Sequence, residues 1–398
     1  MRRLPEIDGE RAVAYLLRFL AVEGTTGDEA AIGEEIAAAL GELGVPAGAM
    51  RYDDSPRRIP LPTAAGNLIV DLEGDPGLPR RLFVAHRDTV PLCAGAVPER
   101  AGERIVSATP TALGGDDRTG VACLVNLVAV LRRSGLRHPP LTLLFTVREE
   151  SGLWGARCVD LALLGCPAFG FNVDGPSPSR LFLGAVGGAH WEAEIVGRAA
   201  HAGLHPEHGV SACLVAARAL ATVHRRRWWG RVRRGGREGT SNAGRLAGRD
   251  GGCVGGATNV VTDYALVEGE ARSHDGRFID RIVAAHRRAF ESAAAGVRNA
   301  RGESAAIEFR SRRMYDPFRL APTSEVARFA LERSELAGLR ATFGIADGGL
   351  DANWLVRHGV PTVTFGAGQR GVHSLGESVD LPDFLAACRL AVALAAAA

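Results

Sequence analysis

Apolar residues fall along this chain in two rhythms. Short continuous apolar runs at 67–72, 81–85, 141–147, 169–173 and 360–365 predict buried strands. Between them apolar positions recur at helical spacing. One such stretch covers 10–20. A second ends near Leu43, with Thr26 or Asp28 as its N-cap, and a third covers 121–131, where positions 121, 124, 125, 128 and 131 share a face. Strands alternating with helices predict an α/β fold, a sheet flanked by helices. From about residue 188 the order changes to strand 191–196, helix 208–226, strands near 240–246 and 260–272, helix 277–297 and strand 306–314. That β-α-β-β-α-β order predicts a ferredoxin-like α+β layer inserted into the first domain. The expected division is therefore 1–187 with 315–398 as one domain and 188–314 as an inserted second one.

Polar chemistry begins where the apolar runs stop. The 81–85 run leads into His86-Arg87-Asp88, the 141–147 run into Arg148-Glu149-Glu150, and the 169–173 run into Asp174. The run 360–365 is followed by a glycine-rich segment reaching His373, and Asp116-Asp117 stands just ahead of the 121–131 helix. Taken singly, these read equally well as a surface loop, an acidic turn or a pair of helix-capping acids. Taken together they occupy the carboxyl ends of successive strands, where open α/β sheets place active sites.

His86, Asp116, Glu150, Asp174 and His373 are two imidazoles and three carboxylates, a mixed N/O donor set suited to zinc, with cobalt or manganese as substitutes. Five side chains exceed what one catalytic zinc with an open position takes. They suit two ions sharing a bridging carboxylate. Neighbouring side chains on extended backbone point opposite ways, so a ligating Glu150 leaves Glu149 as the base that takes a proton from water.

Composition narrows the field. A chain of 398 residues exceeds what one core usually holds. No apolar run approaches the roughly 20 residues that span a bilayer, and no apolar segment follows Met1-Arg2-Arg3, so neither membrane association nor a leader is expected. Seven cysteines, an odd number without a Cys-x-x-Cys pair, predict reduced thiols in a cytoplasm and exclude a thiolate zinc site. Every cation is arginine, which removes the P-loop and Schiff-base lysine chemistries. The basic stretch 225–239, with Trp228 and Trp229, invites a nucleic-acid reading, but it is short and the net charge is only +2, so no nucleic-acid partner is expected. Gly366 to Gly371 matches G-x-G-x-x-G after a strand, yet no helix pattern follows it.

The motifs His86-Arg-Asp88-Thr-Val-Pro, Gly115-Asp116-Asp117-Arg-Thr-Gly, Glu149-Glu150-Ser-Gly, Val173-Asp174-Gly and the late His373 resemble the dinuclear zinc metallopeptidases of family M20, which include peptidase T, carboxypeptidase G and aminoacylase. The likeness runs in order through the inserted domain, a lid in this family, at Gly197-Arg-Ala-Ala-His201, Thr258-Asn259 and Gly269-Glu-Ala-Arg272, and returns at Gly348-Gly349-Leu-Asp351. It implies a mixed sheet flanked by helices for the first domain. It implies Asp116 as the bridging ligand, with His86 and Asp174 on one metal and Glu150 and His373 on the other. It further implies Glu149 as general base, Asp88 as partner of His86, and His201 as oxyanion stabiliser. Asn259, Arg272 and Gly349 would contact substrate, and the lid would form a homodimer. The implied activity is peptidase T-like aminopeptidase action on di- and tripeptides. Its alternatives are an N-acyl-amino-acid amidohydrolase, a carboxypeptidase, or a metal-free homologue without activity. Arg118, Leu350, His274 and the basic stretch 225–239 depart from the family pattern, and none is an implied ligand.

Overall fold

The computed structural model describes residues 4–397. The basic start of the chain, 1–3, and residue 398 lie outside the described residues. The chain divides into two compact units, one running to Ala185 and resuming at Arg319, the other Val186–Phe318. These limits fall slightly outside the expected 188–314. Gly187 already belongs to the second unit's first strand, pairing with Ser273, and a Cβ there would meet Pro317.

In the first unit the central strands lie in the order Leu68–Leu72, Leu141–Thr146, Arg81–His86, Phe169–Val173, Thr362–Phe365, Arg180–Ala185. Arg81–His86 runs parallel to both neighbours, and Thr362–Phe365 runs parallel to Phe169–Val173. Leu68–Leu72 is antiparallel, so the sheet is mixed. The continuous apolar runs have a direct cause: both faces are covered. Phe83, Ala85, Leu143 and Phe145 pack into the core shared with the helix Gly115–Ser134, whereas Leu82, Val84 and Leu144 enter a second core with Leu355 and Val360. Alternate side chains thus serve opposite cores, and polar residues appear only where the strands leave them.

The second helix is Ala30–Glu42, and neither Thr26 nor Asp28 caps it. The Thr26 N–H is bonded to the Thr89 carbonyl. Glu29 takes the cap position but turns its carboxylate to the N–H groups of Gly27 and Arg148. Pro98–Ala101 and Arg104–Ser107 form a further antiparallel strand pair.

The second unit is a five-stranded antiparallel sheet with its own core around Trp191, Phe278 and Phe290. Its order is Gly230–Arg234, Arg237–Ala247, Tyr264–Ser273, Gly187–Val196, Ala306–Tyr315. The helix Ala212–Arg225 starts later than 208 because Ser211 Oγ accepts from Leu214 N–H at 3.1 Å, and Pro206–His208 is a separate 3₁₀ turn. The edge strand Gly230–Arg234 was not expected: alternating arginines hid it. Gly235 and Gly236, at φ 57° and 72°, supply the left-handed turn that folds it onto Arg237–Ala247. Arg231 and Arg233 both pair with Glu238, so the basic stretch is a charged sheet edge of the kind that discourages strand addition.

Candidate metal centre

Strand ends of the first unit bring five acidic and imidazole side chains together. His86 is the last residue of Arg81–His86 and is 2% exposed. Its Nε2 lies 3.0 Å from Asp116 Oδ1. The other oxygen of Asp116 lies 3.4 Å from His373 Nε2, which in turn is 2.8 Å from Glu150 Oε1. Two donor groups result, His86 with Asp116 and Asp174, and Asp116 with Glu150 and His373. Within each, the ligand atoms lie within 4.8 Å of one another. Bonds of about 2.0–2.2 Å in a tetrahedral zinc site put ligand atoms roughly 3.3–3.6 Å apart. Of the separations above, 3.4 Å falls in that range, whereas 3.0 and 2.8 Å are hydrogen-bond contacts that bound ions would have to open; Asp116 is the side chain common to both groups.

Local structure fixes these groups. Asp174 follows Phe169–Val173 directly, and its N–H bonds Phe365 O at 2.9 Å. Asp116 and Asp117, joined by a cis peptide, have non-helical dihedrals at the start of Gly115–Ser134. The carboxylate of Glu377 accepts the N–H groups of Leu113, Gly114 and Asp116 at 2.8, 2.9 and 3.1 Å. At Gly120 a Cβ would meet an Asp117 oxygen at 2.3 Å and Val173 O at 2.4 Å, so only glycine allows the helix this close to the neighbouring strand. Gln369 Nε2 donates to Asp117 Oδ1 at 2.9 Å.

Electrostatics follow from crowding acids out of water. Burial pushes Glu149 and Asp174 well above the usual carboxylate range, and neighbouring acids add to it. Glu150 rises for the same first reason, though its bond to His373 pulls it back. Asp116 goes the other way: burial opposes ionisation, but His373 and His86 outweigh it. His86 rises despite burial, through Asp116 and Asp88, and His373 is pushed up to about 10 by Asp116 and Glu150. The metal-free cluster therefore retains protons that divalent cations would displace.

Residues 82–397 match the profile of peptidase family M20/M25/M40. The chain belongs to this family. The M20 fold is also seen in a tripeptidase from Staphylococcus aureus subsp. aureus Mu50, 27% identical with TM-score 0.85, each chain covered over 98%. The aminopeptidase PepT from Bacillus cereus ATCC 10987 is 31% identical with TM-score 0.79, again over 98% of each chain. The YXEP protein of Bacillus subtilis, described as a dinuclear metal binding peptidase of the M20 family, is 17% identical with TM-score 0.66 over 97% of each. This M20 chain is a hydrolytic metallopeptidase, and dinuclear metal binding occurs within its family.

The remaining expected residues of the M20 chain fall in different places. Glu149, 8% exposed, stands beside Glu150 in the turn after Leu141–Thr146. Asp88 is fully buried. Its Oδ1 is 3.5 Å from His86 Nδ1, while the nearer contact of that nitrogen is the Asp88 carbonyl at 3.1 Å. Gly349 is half-buried ahead of the helix Asp351–Arg357. His201, Asn259 and Arg272 lie in the second unit. There His201 bridges Val260, Asn259 O accepts from Ala202 N–H at 2.8 Å, and Arg272 pairs with Glu270 at 2.9 Å. Sequence reasoning missed Glu377 and Gln369, which hold Asp116 and Asp117 from late in the chain. Asp351, the last residue of the Gly348–Asp351 motif, is buried and accepts from Thr146 Oγ1 at 2.5 Å. No spacing pattern flags Glu377 or Gln369; only their nearness to His373 does.

Proposed function

We propose that this protein hydrolyses the amide bond of di- and tripeptides as a peptidase T-like aminopeptidase, with two zinc ions or, in their place, cobalt or manganese. His86 and Asp174 would hold one ion and Glu150 and His373 the other, with Asp116 bridging. The observation that carries this reading is the pair of donor groups sharing Asp116 beside a buried carboxylate, Glu149, left out of both. Bound cations would supply Lewis-acid polarisation of the scissile carbonyl and acidify a water.

The chain's own groups account for the rest. Glu149 takes a proton from the attacking water and delivers it to the leaving amine nitrogen. Burial favours its protonated form, which suits the second half of that task. Asp88 fixes the Glu149 and Glu150 backbone. His201 donates to the oxyanion, while Asn259, Arg272 and Gly349 hold the substrate backbone and its carboxylate, for which a guanidinium fork is the matching shape. Seven unpaired cysteines support a reducing, cytoplasmic setting, and no helix among the described residues is long and apolar enough to cross a membrane. A homodimer through the second unit completes the proposal.

The test is Glu149→Gln. Metal content should stay near two per chain while turnover of zinc-loaded enzyme falls about 100-fold or more. Unchanged turnover removes Glu149 from the mechanism. A panel of di- and tripeptides beside N-acetylated amino acids and C-terminally amidated peptides separates the aminopeptidase reading from the acylase and carboxypeptidase ones.

A further inference from the structure

Away from that centre, the second unit carries a separate convergence of metal-type donors. His205 Nδ1 lies 3.3 Å from Glu207 Oε1, and His208 Nε2 lies 3.6 Å from the same oxygen. The three ligand atoms fall within 4.8 Å of one another, and all three residues are exposed. From this geometry we infer a surface site for a borderline divalent cation, zinc, nickel or copper, ligated by His205, Glu207 and His208.

Three observations support it. The 3.3 Å contact is a long hydrogen bond and 3.6 Å is too long for one, yet both lengths are edges of a tetrahedron built on metal bonds of about 2.0–2.2 Å. The backbone is pinned before any ion arrives. Ala300 N–H bonds Glu207 O at 2.8 Å, Asn299 Nδ2 bonds His208 O at 3.2 Å, and His208 N–H closes on His205 O at 3.1 Å. Pro206 stiffens the same turn, so little ordering is left for the metal to impose. The donor set also discriminates. Two imidazoles and one carboxylate favour zinc, nickel and copper over magnesium or calcium, which want more oxygen. The imidazoles stack with centroids 5.0 Å apart at 17°, which keeps both nitrogens on the Glu207 side.

An ion held there would tie together the two ends of the Pro206–His208 turn. His205 N–H bonds His201 O at 3.1 Å, so the stretch 201–209 would stiffen with it. Nothing in this site depends on how the buried centre works.

The experiment is equilibrium dialysis of the full-length protein against zinc alone, comparing wild type with the double variant His205→Ala/His208→Ala. Both positions are exposed, so folding should survive. Wild type should take up one equivalent more than the variant. Cobalt titrated into wild type should give an additional tetrahedral absorption band that the variant lacks. Hydrogen exchange at 201–209 should slow with zinc in wild type alone. Equal uptake by the two proteins overturns the inference and leaves His205–Glu207–His208 as an ion pair only. Failure of the buried centre would lower both totals equally and leave the difference between them intact.

Discussion

Asp88 holds Glu149 by its backbone: Asp88 Oδ1 accepts the Glu149 N–H at 2.9 Å, and Oδ2 accepts the Glu150 N–H at 3.2 Å. One buried carboxylate thereby sets two neighbouring glutamates for which different tasks are proposed. Burial alone would neutralise Asp88, but its contacts with His86 and these N–H groups outweigh that and keep it ionised.

Replacing Asp88 by Asn leaves one acceptor oxygen and turns an NH2 toward an N–H donor. The expected result is kcat lowered about 10- to 100-fold, the range for groups that orient ligands from behind. KM should change little, because Asp88 touches no substrate in this scheme. Steady-state kinetics on one good peptide checks it. A change confined to KM would show that Asp88 works on substrate binding instead.

Glu377 does for Asp116 what Asp88 does for Glu149, from the opposite end of the chain. Glu377→Gln keeps the shape but supplies one acceptor where three N–H groups now converge on two. A lost buried acceptor costs about 1–3 kcal/mol, and metal affinity should weaken roughly 10- to 100-fold. Thermal melting and competition with a chromophoric chelator measure the two effects. Retained affinity would mean that the loop at 113–116 holds Asp116 without help.

The contrast between these residues explains what was legible in the chain. His86, Glu149, Glu150 and Asp174 stand beside continuous apolar strands, so strand ends announced them. Asp116 was marked by its glycines and the following amphipathic helix. Glu377 and Gln369 bond to residues more than 250 positions away, and nothing local distinguishes them from a solvated glutamate and glutamine. The edge strand Gly230–Arg234 was missed for a different reason: Arg231, Arg233 and Arg234 are exposed and Val232 is its one buried residue, so it carries no apolar alternation. The second helix differs at its cap because it starts only at Ala30, beyond reach of Thr26, whose hydroxyl bonds Ser151 Oγ instead.

His286 gives the second unit a pH-dependent stability. It is fully buried, packed 4.4 Å from the Trp191 ring and bonded to Ser241 Oγ at 2.6 Å. Burial pushes its pKa from 6.5 down to about 4. Its folded value is below its unfolded one, so the unfolded chain binds the extra proton between these values. Stability is complete above pH 6.5 and declines as pH falls toward 4, by roughly 3 kcal/mol at most. Denaturant unfolding of wild type and His286→Leu across that window should show a slope smaller by about one proton in the variant. Equal slopes would assign the acid sensitivity elsewhere.

Metal removal should make the first unit sensitive to alkali. In the metal-free chain His86, His373, Glu149, Glu150 and Asp174 all have raised pKa values, burial being the leading cause for the three acids and bonds to Asp116 lifting the two imidazoles. A raised folded value means that the native state holds protons the unfolded chain has released. The stability they confer is present at low pH and lost as pH rises. For His373 the window opens at 6.5 and closes near 10. Asp116, shifted down, has the opposite sign, but its window lies below the ordinary carboxylate value of 3.8 and does not offset the others here. Chelator-treated protein should therefore melt at progressively lower temperature from pH 6.5 upward. Loaded protein should hold steady, because cations replace the displaced protons and bind only the folded chain. The gap between the two melting temperatures should widen with pH, and calorimetric titration of zinc in buffers of different ionisation enthalpy should register proton release. A gap independent of pH, with no protons released, would mean that these side chains do not exchange protons for metal, and the five-residue centre would have to be abandoned.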